Sequence, residues 1–402
     1  MPFDGYFDYN ATTPVCDEAV QAQRLAETEF ANPSAKYGLA KKAKEALALA
    51  REQVARLINS NSDEVAFTSG GTEANNWAIK GALAAQGAFG RRAEPAHVIV
   101  AQIEHASVLE AASYLERIFD CEVTRLKPDA EGKVSASAVA AALKSNTRLV
   151  SVMLVNNEVG SLQPIRQIAA LLRDRSIHLH VDGVQAVGKI HVDVRELGID
   201  TMSFAAHKFY GPKGVGGLFV RRGVRLEPLL HGGGQEGGTR GGTEAVPSIV
   251  AMGAAAEATH RMLPEMVLRL SRFQTILREL LVARVPGVSF NGPENQDAQA
   301  PNTLSVRIAG VRAEALAALL DQMHGIQVSL GSACSNNKRA ALSHVLLAMG
   351  LSEAAIRSTL RVSIGRYTRE EDLHRFAEAT AQCVRALQKI GNGVNHERAA
   401  VA

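Results

Sequence analysis

The sequence predicts an α/β fold, with a large domain built on a mainly parallel sheet covered by helices and a smaller α+β domain. Three observations predict it. Between residues 65 and 220, short apolar runs alternate with helical stretches at the spacing of strand–helix–strand units. From about residue 265 the pattern changes to a helix–strand–helix series. The chain has 402 residues, too many for one small core and enough for two domains.

Residues 16–30 and 36–58 read as helices. In the second, Ala40, Ala43, Leu47, Ala50, Val54, Leu57 and Ile58 recur at helical spacing. Apolar runs at 65–67, 98–100, 149–155, 179–181 and 215–220 read as strands. In sheets of this kind ligands bind beyond the carboxyl ends of the strands, so the polar residues just after these runs are the candidates for a site. Residues 232–242 hold seven glycines and read as a flexible loop. An apolar helix follows over 246–262. In the second domain strands are expected at 303–308, 326–329 and 360–364, and Thr368-Arg369-Glu370-Glu371 reads as a capping box opening the last helix. The predicted boundaries are 16–262 for the large domain and 1–15 with 263–390 for the small one. The polar tail 391–402 is expected to be disordered.

Composition narrows the function classes. Apolar content is 46%, charged content 21% and net charge +3, too weak a charge to imply nucleic acid or an anionic membrane as partner. No uninterrupted apolar stretch is long enough to span a bilayer. The start, Met1-Pro2-Phe3-Asp4-Gly5-Tyr6, lacks the basic and apolar regions of a signal peptide, so a cytoplasmic location is expected. The four cysteines, Cys16, Cys121, Cys334 and Cys383, form no Cys-x-x-Cys pair; neither a zinc knuckle nor a disulfide framework is suggested. Cys121 and Cys383 read as inert core thiols.

Lys208 follows the apolar stretch containing Met202, Phe204, Ala205 and Ala206 and precedes a Gly-Pro turn. That places it at the end of a buried strand, where desolvation favours the neutral, nucleophilic amine. Such a lysine suits a Schiff base, above all with pyridoxal phosphate (PLP); a surface lysine in a turn is the bland alternative. Thr68-Ser69-Gly70-Gly71-Thr72-Glu73 follows a strand and opens a helix, either as an anion site or as a plain N-cap. Asp182 ends another strand and suits a protonated pyridine nitrogen, with Gln185 in reach of the ring's phenolic oxygen; it equally suits an N-cap. His178 and His180 share a strand face, but no third metal ligand stands at suitable spacing. His105 lies just beyond a strand, placed to stack on a cofactor and shuttle protons or to serve structure alone. Asn156 and Asn157 stand where they can orient polar ligand groups. Cys334 lies among small and polar residues, with Lys338 and Arg339 to lower its thiol pKa. Arg361 is a cation inside an apolar strand pattern, suited to a substrate carboxylate or to an internal salt bridge.

Together these segments resemble the cysteine desulfurases of the NifS/IscS-like group, in the class V aminotransferase superfamily of PLP enzymes. The resemblance runs from Tyr6-Phe7-Asp8-Tyr9-Asn10-Ala11-Thr12-Thr13-Pro14 to Ile364-Gly365-Arg366-Tyr367-Thr368, with Thr68-Ser69-Gly70-Gly71-Thr72-Glu73-Ala74-Asn75 among its most specific pieces. It is carried also by Val155-Asn156-Asn157-Glu158-Val159-Gly160, Asp182-Gly183-Val184-Gln185-Ala186-Val187-Gly188-Lys189, the His207-Lys208 pair and Gly331-Ser332-Ala333-Cys334. It implies a fold type I homodimer that binds PLP. Lys208 would carry the cofactor, His105 would stack on its ring, and Asp182 and Gln185 would hold its pyridine nitrogen and phenolic oxygen. Gly71, Thr72 and His207 would bind the phosphate, with Thr243 of the partner subunit. Asn32, Asn156 and Arg361 would hold the carboxylate of L-cysteine. Cys334 would take the sulfur as a persulfide, leaving alanine, and pass it to an acceptor protein.

Several positions depart from the family pattern. Ala205 stands where Ser is frequent, Gly183 where Ala or Thr is usual, Gly237 and Thr239 where larger residues are common, and Tyr37 where His is usual. The segment after Cys334, Ser335 to Leu342, is also unusual. Alternatives are another class V reaction, such as C–S or selenocysteine lysis or transamination, and a non-catalytic scaffold. The destination of the sulfur stays open among iron–sulfur clusters, tRNA thiolation, DNA phosphorothioation and a dedicated biosynthetic pathway.

Overall fold

A computed structural model describes residues 3–89, 95–330 and 342–400. Its larger sheet has the strands β1 (Val65–Thr68), β2 (His97–Ala101), β3 (Glu122–Leu126), β4 (Thr147–Ser151), β5 (His178–Asp182), β6 (Thr201–Ala205) and β7 (Gly216–Val220). They lie in the order β1-β7-β6-β5-β4-β2-β3. The run from β6 to β3 is parallel, and β7 is antiparallel to both its neighbours, β1 and β6. A second, wholly antiparallel sheet holds β8 (Val288–Asn291), β9 (Thr303–Ile308), β10 (Ser329–Leu330) and β11 (Thr359–Ser363), in the order β10-β11-β9-β8.

Strands β3 and β8 have no counterpart among the apolar runs of the sequence. Each sits at the edge of its sheet, and neither contains a fully buried residue. An edge strand with a wet face needs no continuous apolar run. The run at 149–155 is regular strand only to Ser151; beyond it Val152 and Leu154 N–H still donate to His180 O and Asp182 O of β5, while the Met153 N–H donates to Glu104.

The apolar helix expected over 246–262 is one helix from Val246 to Arg284, with Pro264 inside it. An interior proline costs about 3 kcal/mol in an isolated helix. Here burial offsets that: Leu263, Met266, Leu270, Phe273, Leu277 and Leu281 continue the apolar stripe at helical spacing and are all buried. The boundary placed at residue 262 therefore falls inside a continuous helix, which packs on the Asp17–Glu27 and Gly38–Leu57 helices and on the last helix.

The last helix runs from Glu370 to Ala400. It is not opened by the box read at residues 368–371. Asp372 accepts from the Arg369 N–H, while the Thr368 hydroxyl accepts from Gly365 N–H. Its backbone is helical through residues 391–400.

The N-terminal segment places several site residues. Phe7 N–H donates to Gln327 O at 2.9 Å, and Ser363 N–H donates to Phe7 O at 2.8 Å. Strapped to the small sheet in this way, the segment delivers Asp8, Asn10 and Ala11 to the carboxyl ends of β5 and β6.

Candidate active site

A cavity of about 480 Å³ opens at those strand ends, with Thr72, His105, Asp182, Gln185, Lys208 and Arg361 in its lining. Strand β6 is buried along its whole length. One tight turn, Ala206–Lys208, then carries the lysine over the end of the strand. Lys208 Nζ donates to the carbonyls of Asn10 (2.5 Å) and Ala11 (2.8 Å). Burial, and then the charge of Arg361, push its pKa down to about 8.

Asp182 closes β5. It accepts from Asn75 Nδ2 at 2.8 Å and from Val184 N–H at 2.9 Å. Asn75 is itself fixed by His180 Nε2 (2.9 Å) and by its own bond to Ser107 Oγ (2.8 Å). His180 and His178 both bond Thr201 Oγ1, and burial pushes them down to about 3 and about 4. These two histidines form a neutral relay that orients Asn75 and, through it, Asp182. Behind Asp182 lies Glu104, fully buried. Burial, reinforced by the charge of Asp182, holds its carboxyl well above the usual carboxylate range.

His105 is the N-cap of the Ala106–Phe119 helix: its Nδ1 accepts from Ser107 N–H at 3.1 Å. Burial holds its pKa below the ordinary value, so the ring is neutral at pH 7. His207 pairs with Thr12 Oγ1 at 3.2 Å; burial, then Lys208, push it down to about 4. The Gly71–Ala85 helix begins at Gly70 with no side-chain cap, so among the described residues no side chain occupies its first amides. A Cβ on Gly71 would lie 2.8 Å from Val184 Cγ2, so only glycine lets the turn approach β5 this closely. Ala205 is buried in the same wall and brings no hydroxyl to it.

Arg361 lies on β11, opposite Ser329 of β10 and Ser305 of β9. It makes the internal salt bridge that the sequence allowed. Its Nη2 pairs with Asp8 at 2.8 Å and its Nη1 reaches Asn157 O at 3.3 Å, while Nε is buried without a partner among the described residues.

Not every candidate reaches the cavity. Asn156 is fully buried and spent on its own turn: Oδ1 accepts from Glu158 and Val159 N–H, and Nδ2 donates to Ile103 O. Asn157 lines the cavity in its place, with a buried Oδ1 that has no partner among the described residues. Asn32 is exposed, accepts from Ser34 N–H and is absent from the lining. Thr243 is exposed and also lies away from the Lys208 cavity of its own chain. Cys334 lies outside the described residues. Conversely, Asp8, Glu158 and His344 line the cavity without having been singled out as site residues. Their sequence signal is weak, because the first is delivered by the N-terminal segment and the last by a short helix far along the chain. Glu158 is 4% exposed, and burial raises its pKa to about 7.

Gly183 departs from the family pattern for a visible reason. A Cβ there would lie 2.7 Å from Met202 Cγ and Sδ and 3.0 Å from Ser203 O; the Met202 thioether fills that space. Gly183→Ala is expected to destabilise the fold by about 1–3 kcal/mol through overpacking, measured by chemical unfolding. The loss should shrink in a Met202→Val background, and equal losses in both backgrounds would refute the steric account.

The family model described as Aminotransferase class-V matches residues 5–376. The chain belongs to the class-V aminotransferase family. Among class-V relatives, the cysteine desulfurase IscS of Clostridium botulinum is 41% identical over 388 residues, 96% of this chain and 95% of that one. A solved NifS-like protein superposes with a TM-score of 0.86 at 34% identity, covering 95% of this chain and 99% of that one. A second solved structure, SspA in complex with cysteine, gives 0.77 at 38% identity over 91% of this chain and 100% of that one.

Proposed function

We propose that this chain is a PLP-dependent cysteine desulfurase, which removes sulfur from L-cysteine to leave L-alanine and a persulfide on Cys334. The observation that carries the proposal is Lys208, a half-buried amine of lowered pKa sharing one cavity with Asp182, His105 and an uncapped helix N-terminus. The cysteine desulfurase relatives matched over nearly the whole chain support it.

The donor set fits PLP. Gly71, Thr72 and His207 suit its phosphate, Asp182 a protonated ring nitrogen, Gln185 a phenolic oxygen, and the neutral His105 ring a stacking partner. PLP, when bound, supplies an electron sink that makes the Cα proton of an amino acid removable. This chain's residues do the rest. Arg361, with its free Nε–H, and Asn157 hold the substrate carboxylate. Lys208 accepts the Cα proton. Asp182, ordered by Asn75, supplies the fixed negative charge at the back of the site. The Cys334 thiolate takes the substrate sulfur, and the carbon fragment leaves as alanine once protonated. An exposed Thr243, remote from its own cavity, supports a homodimer in which that residue serves the partner's site. The persulfide then passes to an acceptor protein.

The purified protein should show a visible absorption band that shifts on adding L-cysteine, followed by one added sulfur atom on the Cys334 peptide by mass spectrometry. A colourless protein that takes up no PLP, or a shifted band with no persulfide at Cys334, would reject the assignment.

A further inference from the structure

One ionisable group beside the cavity has no part in that scheme. Lys189 follows β5 and is 5% exposed. Its Nζ donates to Asn10 Oδ1 at 2.8 Å and to Gln185 Oε1. Both acceptors are neutral amide oxygens. The charged groups facing it are Lys208 at the end of β6, Arg361 on β11 and Asp8 on the N-terminal segment, and Asp8 is already paired with Arg361 at 2.8 Å. A buried amine among cations, with no carboxylate of its own among the described residues, is an unfavourable arrangement.

Its two contacts are not equivalent. Asn10 Oδ1 also accepts from Asn302 Nδ2 at 2.9 Å, so the Asn10 amide is oriented without Lys189. Gln185 Oε1, in contrast, has Lys189 as its one hydrogen-bond partner among the described residues. Gln185 Nε2 donates one hydrogen to Asn10 O at 2.9 Å. A flipped amide would set Oε1 against that carbonyl and Nε2 against the lysine amine, two like-with-like contacts.

We propose that Lys189 is a positioning residue: by holding Gln185 Oε1 it leaves the second Nε2 hydrogen as the group Gln185 turns to the cavity, making Gln185 a donor to the cofactor. The inference rests on the PLP reading above, which puts the phenolic oxygen of the cofactor at Gln185. A donor there favours the form in which that oxygen carries negative charge. It therefore lowers the pH at which the lysine-linked chromophore loses its proton.

The test is a pH titration of the visible band in the PLP-loaded wild type, Lys189→Met, Gln185→Leu and the double variant. Lys189→Met should raise the midpoint by on the order of one pH unit, Gln185→Leu should raise it similarly, and the double variant should go no further than Gln185→Leu alone. An unchanged midpoint in Lys189→Met overturns the inference. So do additive shifts, which would mean that Lys189 acts by its charge and not through Gln185. Lys189→Ala, a second donor-free variant, is read in the same way if the methionine variant does not fold. A wild type with no visible band overturns the PLP assignment and this inference together, whereas a titrating wild-type band with an unmoved Lys189→Met overturns the role of Lys189 alone.

Discussion

Lys208→Ala should lower alanine formation from L-cysteine by on the order of 10⁴-fold, because one amine serves as both the cofactor anchor and the proton acceptor. Lys208→Arg should not rescue it, since a guanidinium stays protonated and forms no such link. Stability should fall by no more than about 2 kcal/mol, from the two hydrogen bonds lost. The Asn10 carbonyl keeps its bond from Gln185 Nε2, and each hydrogen bond lost is worth about 1 kcal/mol. The sign of the pH effect follows from the lowered pKa. The neutral amine prevails above about pH 8 and is lost as the pH falls through that value. PLP uptake by the apo-protein should therefore rise through about pH 8 and then level off, a transition placed well below that of an ordinary lysine. Alanine release and a stopped-flow uptake profile measure both. Residual turnover within tenfold of wild type, or an uptake midpoint near 10, would show that Lys208 is not the anchor.

Cys334→Ser separates binding from sulfur transfer. A serine hydroxyl is a far weaker nucleophile than a thiolate at neutral pH and forms no persulfide. Alanine release should fall by on the order of 10³-fold, and no added sulfur should be found on the residue 334 peptide. The band shift on adding L-cysteine should persist, because Lys208, Asp182 and Arg361 are untouched. Sulfide and alanine release at the wild-type rate would instead identify a lyase with no use for the Cys334 thiol. The three described cysteines are poor substitutes: Cys16, Cys121 and Cys383 are buried, and burial raises all three thiols.

The interior of the fold was legible and its edges were not. Strands β1 and β2 are buried and leave the uninterrupted apolar runs at 65–67 and 98–101, while β5, β6 and β9 are also mostly buried but carry single polar residues between their apolar ones. The edge strands β3 and β8 leave none. Pro264 reads locally as a stop, yet the helix passes through it because its partners lie far away in sequence. In the site, residues at strand ends could be found from position alone: Asp182 after β5, Lys208 after β6, His105 after β2. Asn156 and Asn157 could not be told apart, since the turn that consumes one amide and frees the other is set by backbone bonds to Glu158 and Val159. Asp8 was hidden because its partner, Arg361, is 353 positions away. Gln185 and Lys189 were both legible as motif residues; the bond between them is visible only in three dimensions.

The helix from Val246 to Arg284 bears on how such a protein can be taken apart. A gene fragment ending at residue 262 would keep its first half and lose Leu263, Met266, Leu270, Phe273, Leu277 and Leu281, the stripe buried in the second half. The complementary fragment would begin with that stripe and lack the Asp17–Glu27 and Gly38–Leu57 helices that pack on the same rod. The two lobes therefore behave as halves of one spine and not as modules. Recombination between relatives should succeed when the crossover falls in the loops on either side of residues 246–284 and fail when it falls within them.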